Sequence, residues 1–361
     1  MEKQHQIFFE FLRFCIGSES EIPSSLKEAD WKELYRIAQK QCLVGILFDG
    51  IQKLPPAEVG MSKDLLLQWM MQCQMLEKAN VRLNDVVIQV SEWFRKKGFR
   101  TCILKGQGNA LLYPNGLHRT PGDIDIWVEG GDKRVISFVR SISPHEKACY
   151  HHIEFPSYKG VEVEVHYRPS FLLCFWHNRK LQKYYERVKE DQFSHRVMLG
   201  EQGEIAIPTV EFNLIFQLTH IFAHLMNEGI GLRQLLDYYY VLISDDLLLI
   251  RDRVQKELKE LGLWKFAGAI MYIMQDVFGM PASRLIVPPN EKYGRFVLNE
   301  VLEAGNFERH DKRNRFGRSK LGHNLQRVYR DMRLVRYFPA EALSEPFFRV
   351  WHFFWRLKHR R

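Results

Sequence analysis

Between Phe99 and Pro208 the hydrophobic period of the chain leaves the helical spacing, and it returns to it from Thr209 onward. Inside that window "VEVEVHYR" (161–168) alternates apolar and polar residues strictly, as a half-buried strand does. "FRTCIL", "IDIWV" and "CYHHIEF" are further short strand candidates, and "HRVMLGEQGEIAIP" reads as a hairpin around Gly200–Gly203. Short helical patterns, "NALLY" and "DKRVISFVRSI", lie among them, with a "PNG" turn after the first. Short strands mixed with short helices predict a compact α+β unit over 99–208, built on a small mixed sheet.

The flanks predict helices. In 1–98, "DWKELYRIAQKQCLVGILFDGIQKL" places Leu34, Ile37, Ala38, Cys42 and Ile46 near helical spacing behind an Asp30 cap. A longer periodic stretch runs from a Ser62 cap to a Gly98 stop and suits a scaffold. In 209–361, helices are expected at 209–227, 231–243, 245–261, 263–278 and 291–304, with more after Ser319. Six scattered cysteines without a C-x-x-C pair suit reduced thiols rather than disulfides or a structural zinc site. Glu10 and Arg13 interrupt the apolar N-terminal stretch, which makes it an amphipathic helix rather than a signal peptide. No apolar run approaches the ~18–20 residues of a membrane span, so a cytoplasmic protein is expected. The net charge of +9 is uneven, because residues 307–361 hold 15 Lys/Arg against 5 Asp/Glu.

The unusual strand is "TPGDIDIWV". Side chains alternate across a strand, so Asp123 and Asp125 share one face while Ile124 and Ile126 take the other. Two adjacent carboxylates repel unless a cation lies between them, and hard cations such as Mg²⁺ take oxygen ligands and leave room for substrate phosphates. A chance surface pair is an equally good account of the motif alone. Its surroundings favour chemistry: Gly106 closes one strand and opens a short helix, where backbone amides can meet a phosphate, and Lys105 and Arg119 add positive charge. Downstream, "VEVEVHYR" offers Glu162, Glu164 and His166 on one strand face. Two paired carboxylates and one distant in sequence suit two-metal phosphoryl or nucleotidyl transfer.

"LKGQGNALLYPNGLHRTPGDIDIWV", "EVEVHYR" and "GLRQLLDYYYVL" together resemble the nucleotidyltransferase superfamily with a polymerase-β-like core, and within it the bacterial NTP-transferase-5 family. The closest likeness covers roughly residues 99–245. The resemblance implies an α+β nucleotidyltransferase core at 99–208 between helical regions at 1–98 and 209–361. It implies catalytic, metal-binding Asp123, Asp125 and Glu164, with Glu162 as the alternative third carboxylate. It implies nucleotide contacts from Lys105, Gly106, Gln107, Arg119, Gly122, Arg233 and Asp237. The superfamily's turn is usually Gly-Gly or Gly-Ser, whereas here it is Gly106-Gln107. The cofactors implied are two Mg²⁺ ions and an NTP, with ATP the expected nucleotide.

The remaining motifs have plainer accounts beside functional ones. His220 and His224, one helical turn apart, suit packing or cleft-lining better than metal binding, since no third ligand is in view. Arg233 and Asp237 are also i and i+4, either a simple helix pair or a cleft pair in which Asp237 orients Arg233 toward the nucleotide. "RHDKRNRFGRSK" and "FFRVWHFFWRLKHRR" carry the basic excess. A nucleic-acid or membrane-surface contact through 309–361 stands against closure of the fold by the aromatics Phe347, Phe348, Trp351, Phe354 and Trp355, and closure is the more economical. The expected function is Mg²⁺-dependent transfer of NMP from an NTP to a hydroxyl of a small molecule or protein, releasing pyrophosphate. The alternatives are a catalytically weak nucleotide-binding regulatory or antitoxin-like protein, or a nucleic-acid-binding module that uses the tail.

Overall fold

A computed structural model describes residues 3–55, 60–201, 203–305 and 320–359. The chain begins with α1 (Lys3–Ile16), α2 (Trp31–Gln41) and α3 (Val44–Lys53). The Asp30 side chain caps α2 by accepting from the amides of Lys32 and Glu33 at 3.0 and 3.2 Å. The periodic stretch that follows Asp30 is two helices, because Cys42 turns left-handed (φ 57°) and ends the first. Next comes α4 (Lys63–Lys96), capped by Ser62 and closed before Gly98, which sits at φ +80°.

The central unit holds β1 (Thr101–Ile103), α5 (Gln107–Ala110), β2 (Ile124–Val128), α6 (Gly131–Ile142), β3 (His152–Tyr158), β4 (Val161–His166), α7 (Phe175–Ser194), β5 (Arg196–Leu199) and β6 (Gly203–Ala206). Four strands form one sheet in the order β1-β2-β4-β3, with β2 and β4 parallel and the other pairings antiparallel. The β5–β6 hairpin stands as a separate two-stranded sheet. The fold is α+β, with a small mixed sheet between helical regions.

The twenty-residue α7 adds a long helix to this unit. Its Leu181, Tyr184, Tyr185 and Phe193 are buried at helical spacing, but no side chain caps its start at Cys174. The C-terminal region follows as α8 (Val210–Asn227), α9 (Leu232–Leu242), α10 (Leu247–Glu260), α11 (Trp264–Asp276), α12 (Glu291–Ala304), α13 (Lys320–Leu334) and α14 (Pro339–Lys358). Among the described residues no helix is long and apolar enough to cross a membrane.

The sheet has two unlike faces, and their difference positions the site. Ile124, Ile126, Val128, Ile153, Val163 and Val165 pack against Leu83, Val86, Val87, Val90 and Phe94 of α4 and Val135 and Val139 of α6. Burying an aliphatic side chain this way contributes about 1.5–3 kcal/mol, so this face is fixed as core. The acidic face must then turn the other way, toward the C-terminal helices. The first half of α4, with Leu65, Trp69 and Cys73, joins a second, larger apolar cluster that the N-terminal and C-terminal helices share.

Only part of the expected aromatic closure by α14 is seen. Phe348 is buried and stacks on Phe171, with ring centroids 5.2 Å apart, and Trp355 packs against the sheet's cluster. Phe347 and Phe354 are 71% and 62% exposed, because the helical period, ~100° per residue, turns both about 100–120° away from Phe348. Residues 309–319 of the basic motif lie outside the described residues.

Candidate active site

Strand pairing assembles the carboxylates. The parallel register of β2 and β4 sets Asp125 beside Glu164, on strands about 4.8 Å apart. Asp123 immediately precedes β2 and shares the face of Asp125 by alternation. One oxygen from each of Asp123, Asp125 and Glu164 lies within 4.8 Å of the others. Glu162 instead lines a surface groove with Ala79, Arg82 and Gly160, which adjoins the trio at Gly122 and Asp123.

Cationic side chains close on Asp125. Lys105, just beyond β1, brings Nζ to 3.0 Å from Asp125 Oδ2 and also donates to His220 Nε2 on α8 at 3.0 Å. His166, two residues beyond Glu164, holds Nε2 2.9 Å from Asp125 Oδ1 and 3.4 Å from Glu164 Oε2. Burial alone pushes the Asp125 carboxyl up, but Lys105 and His166 outweigh it and hold it well below the usual range. The bonds to Asp125 and Glu164 likewise overcome burial at His166 and push it up to about 9. At Glu164, too, burial pushes upward and the hydrogen bond from His166 prevails, so its carboxyl sits below the usual range. Asp123 moves the other way, raised first by the charge of Asp125 and then by burial. Among the described residues no ion pair joins Asp123. The trio is thus an all-oxygen donor set in which Asp123 is under repulsion, an environment that favours a divalent cation.

Beside it lies a second polar group. Arg119 donates from Nε and Nη2 to both carboxylate oxygens of Asp237 on α9, each at 2.8 Å, and Tyr113 donates its hydroxyl to Asp237 Oδ1 at 2.6 Å. The partner of Asp237 is therefore Arg119 and not Arg233, the residue one helical turn away. Arg233 donates from Nη1 to the Thr120 carbonyl at 3.1 Å, and its Nε, buried, finds no hydrogen-bond acceptor. Burial first, then the neighbouring Arg119, lowers the Arg233 guanidinium from its ordinary value. Two guanidinium groups against one carboxylate leave a surplus positive charge at the wall.

Lys105, Gly106, Arg119, Gly122, Asp123, Asp125, Glu164, Arg233 and Asp237 all line one cavity of about 430 Å³. That volume falls in the range of small-molecule sites. Gln107 is not among the lining residues: it is buried, and its amide donates to Asn84 Oδ1 on α4. Gly106 takes φ +58° and ψ −113°, a conformation that residues with a Cβ rarely adopt, and this makes the tight exit from β1.

The opposite wall comes from residues that, Phe348 apart, sequence reasoning did not single out. His151 and His152 reach it from the start of β3, and Glu345, Phe348, Arg349 and His352 roof it from α14. The histidine pair in "CYHHIEF" was a visible signal for the first two; in the roof only Phe348, through the aromatic spacing of α14, had one. His220 and His224 line the same cavity, with ring centroids 4.3 Å apart.

Comparison with known proteins agrees with this architecture. The family model described as uncharacterised nucleotidyltransferase matches residues 27–279. No curated protein matches the chain. A solved structure, an antigenic nucleotidyltransferase-like protein from Paracoccidioides brasiliensis, is 16% identical with a TM-score of 0.29, over 50% of this chain and 92% of that one. A likeness at that level adds nothing to the assignment, which rests on the family match across most of the chain. By that match the chain belongs to the uncharacterised nucleotidyltransferase family.

Proposed function

We propose that the protein is a cytoplasmic, Mg²⁺-dependent nucleotidyltransferase that moves NMP from an NTP, ATP foremost, to a hydroxyl acceptor and releases pyrophosphate. The observation that carries this reading is the Asp123–Asp125–Glu164 trio, three oxygens within 4.8 Å of one another lining the cavity. An all-oxygen set of this kind fits Mg²⁺, held by Asp123 and Asp125 with Glu164 on the acceptor side. There it would offset phosphate charge and lower the pKa of the acceptor hydroxyl. Lys105 and Arg233 supply further positive charge along the path of the phosphates, and Asp237 and Tyr113 keep Arg119 oriented beside them. In this reading residues 99–208 are the catalytic unit, and regions 1–98 and 209–361 support it and wall the cavity.

A second reading, a nucleotide-binding protein with little turnover, draws on the turn. Gln107 faces α4, so the position that carries a glycine or a phosphate-binding serine elsewhere in the superfamily offers no group to the cavity. Pyrophosphate release from each of the four NTPs with Mg²⁺, with hydroxyl acceptors from sugars to protein side chains, separates the two. The enzyme reading expects release from the parent and none from Asp125→Asn. Tight Mg²⁺–NTP binding by calorimetry with no release from the parent would leave the regulatory reading standing.

A further inference from the structure

Behind the oxygen trio the donor chemistry changes. In the antiparallel pairing of β3 with β4, His152 stands directly opposite His166, and Glu164 lies one step along the same face. His152 Nδ1 and His166 Nε2 are each 3.4 Å from the same atom, Glu164 Oε2, and one donor atom from each of the three residues lies within 4.8 Å of the others. Charge-assisted hydrogen bonds between such groups close to ~2.7–2.9 Å, so 3.4 Å is long for that purpose. It is close to the edge, about 3.3 Å, of a tetrahedron with metal–ligand bonds of ~2.05 Å.

We propose that His152, Glu164 and His166 form a binding site for a borderline divalent cation of the zinc class, with its open position facing the cavity. Two imidazoles and one carboxylate with a vacant fourth place is the ligand set of catalytic rather than structural zinc sites. Imidazole nitrogen discriminates against Mg²⁺, which prefers oxygen and keeps its waters, so this site and the Asp123–Asp125 pair select different ions while sharing Glu164. Without a metal, neighbours occupy the same nitrogens: His151 Nε2 lies 3.0 Å from His152 Nδ1, and Asp125 Oδ1 lies 2.9 Å from His166 Nε2. His151 is itself held from behind by the Cys149 thiol, with Sγ 3.4 Å from its Nδ1. The site stands as a metal site whether or not the chain transfers nucleotides.

The test uses the full chain, stripped with chelator, and metal ions alone. Calorimetry with Zn²⁺ in the presence of excess Mg²⁺ should give one equivalent bound. His152→Ala, and His152→Gln as the better-packed variant, should weaken that binding at least ~10-fold, whereas His145→Ala, an exposed histidine, should leave it unchanged. Co²⁺ should give the intense visible bands of four-coordinate cobalt in the parent and in Cys149→Ser, but not in the folded His152 variants. Parent-like Zn²⁺ binding by folded His152→Gln would overturn the proposal, as would displacement of Zn²⁺ by excess Mg²⁺. Loss of the cobalt spectrum in Cys149→Ser would overturn it too, by moving the ion to Cys149, His151 and His152.

Discussion

Replacing Asp237 with leucine isolates the worth of the buried pair that joins α9 to the cavity wall. Arg119 and Asp237 are both buried, and the two 2.8 Å bonds between them satisfy the carboxylate together with the Tyr113 hydroxyl. Removing one partner of such a pair strands the other charge, at a cost of about 3–5 kcal/mol. The Tyr113 hydroxyl loses its acceptor as well, worth a further ~1–3 kcal/mol if nothing replaces it. These terms overlap because one carboxylate serves both, so the expected loss is about 4–6 kcal/mol, a large share of a typical total of ~5–15 kcal/mol. Urea denaturation at neutral pH reads it as a fall in the midpoint at constant slope. Arg119→Met combined with Asp237→Leu should recover part of the loss, because the stranded Arg119 charge is gone, although Arg233 still loses its neighbouring carboxylate and Tyr113 its acceptor. The pH dependence has a definite sign. Arg119 holds Asp237 below its ordinary value against the pull of burial, so its contribution is complete above the unfolded carboxylate value of ~3.9 and fades as the pH falls through the folded value. The parent should lose stability more steeply than the double variant in acid below about pH 4. A loss under ~1 kcal/mol in Asp237→Leu, or a double variant no more stable than the single, would refute the reasoning.

Three further outcomes are expected. Glu164→Gln should bind Mg²⁺–NTP nearly as the parent does but release little pyrophosphate, whereas Glu162→Gln, outside the oxygen trio and the cavity lining, should match the parent in both assays. Gly106→Ala should cost about 1–3 kcal/mol in thermal or urea unfolding, because the turn holds φ +58° and ψ −113°; no loss would mean that the turn relaxes at no cost. Asp331, raised to about 7 by burial and by Glu345, binds its proton more tightly folded than unfolded, so stability should fall as pH rises from about 4 to 7; Asp331→Asn should flatten that slope in denaturation curves across the range.

Local signals carried much of this structure. The helices after Thr209 were readable from the recurrence of apolar residues at helical spacing; α12 buries a stripe and begins and ends where the period does, whereas α9 is buried nearly all round. The two faces of "DIDIWV" followed from alternation alone. By contrast α7, though periodic at Leu181, Tyr184, Tyr185 and Val188, opens at Cys174 without a capping side chain and escaped notice. Pairings between distant strands and helices left no local mark. Nothing near Asp237 points to Arg119, 118 positions away, rather than to Arg233 on its own helix. Nothing in "CYHHIEF" says that His152 will face His166, since the β3–β4 register comes from the folded sheet. The exposure of Phe347 and Phe354 was hidden for the same reason: aromatic spacing shows that a helix has an apolar face, not which of two faces finds a neighbour.

The cavity's floor and roof come from opposite ends of the order of synthesis. Asp123, Asp125 and Glu164 leave the ribosome well before Glu345, Phe348 and His352, which cover them. At ~5–20 residues per second, the 181 positions between Glu164 and Glu345 take roughly 10–35 s to make. During that interval the side chains that α14 adds to the cavity are missing, so a cation held by the trio, as proposed, could bind before they arrive. If the trio holds a cation as proposed, a chain clipped before α14 would carry it without the side chains that line the cavity from that helix.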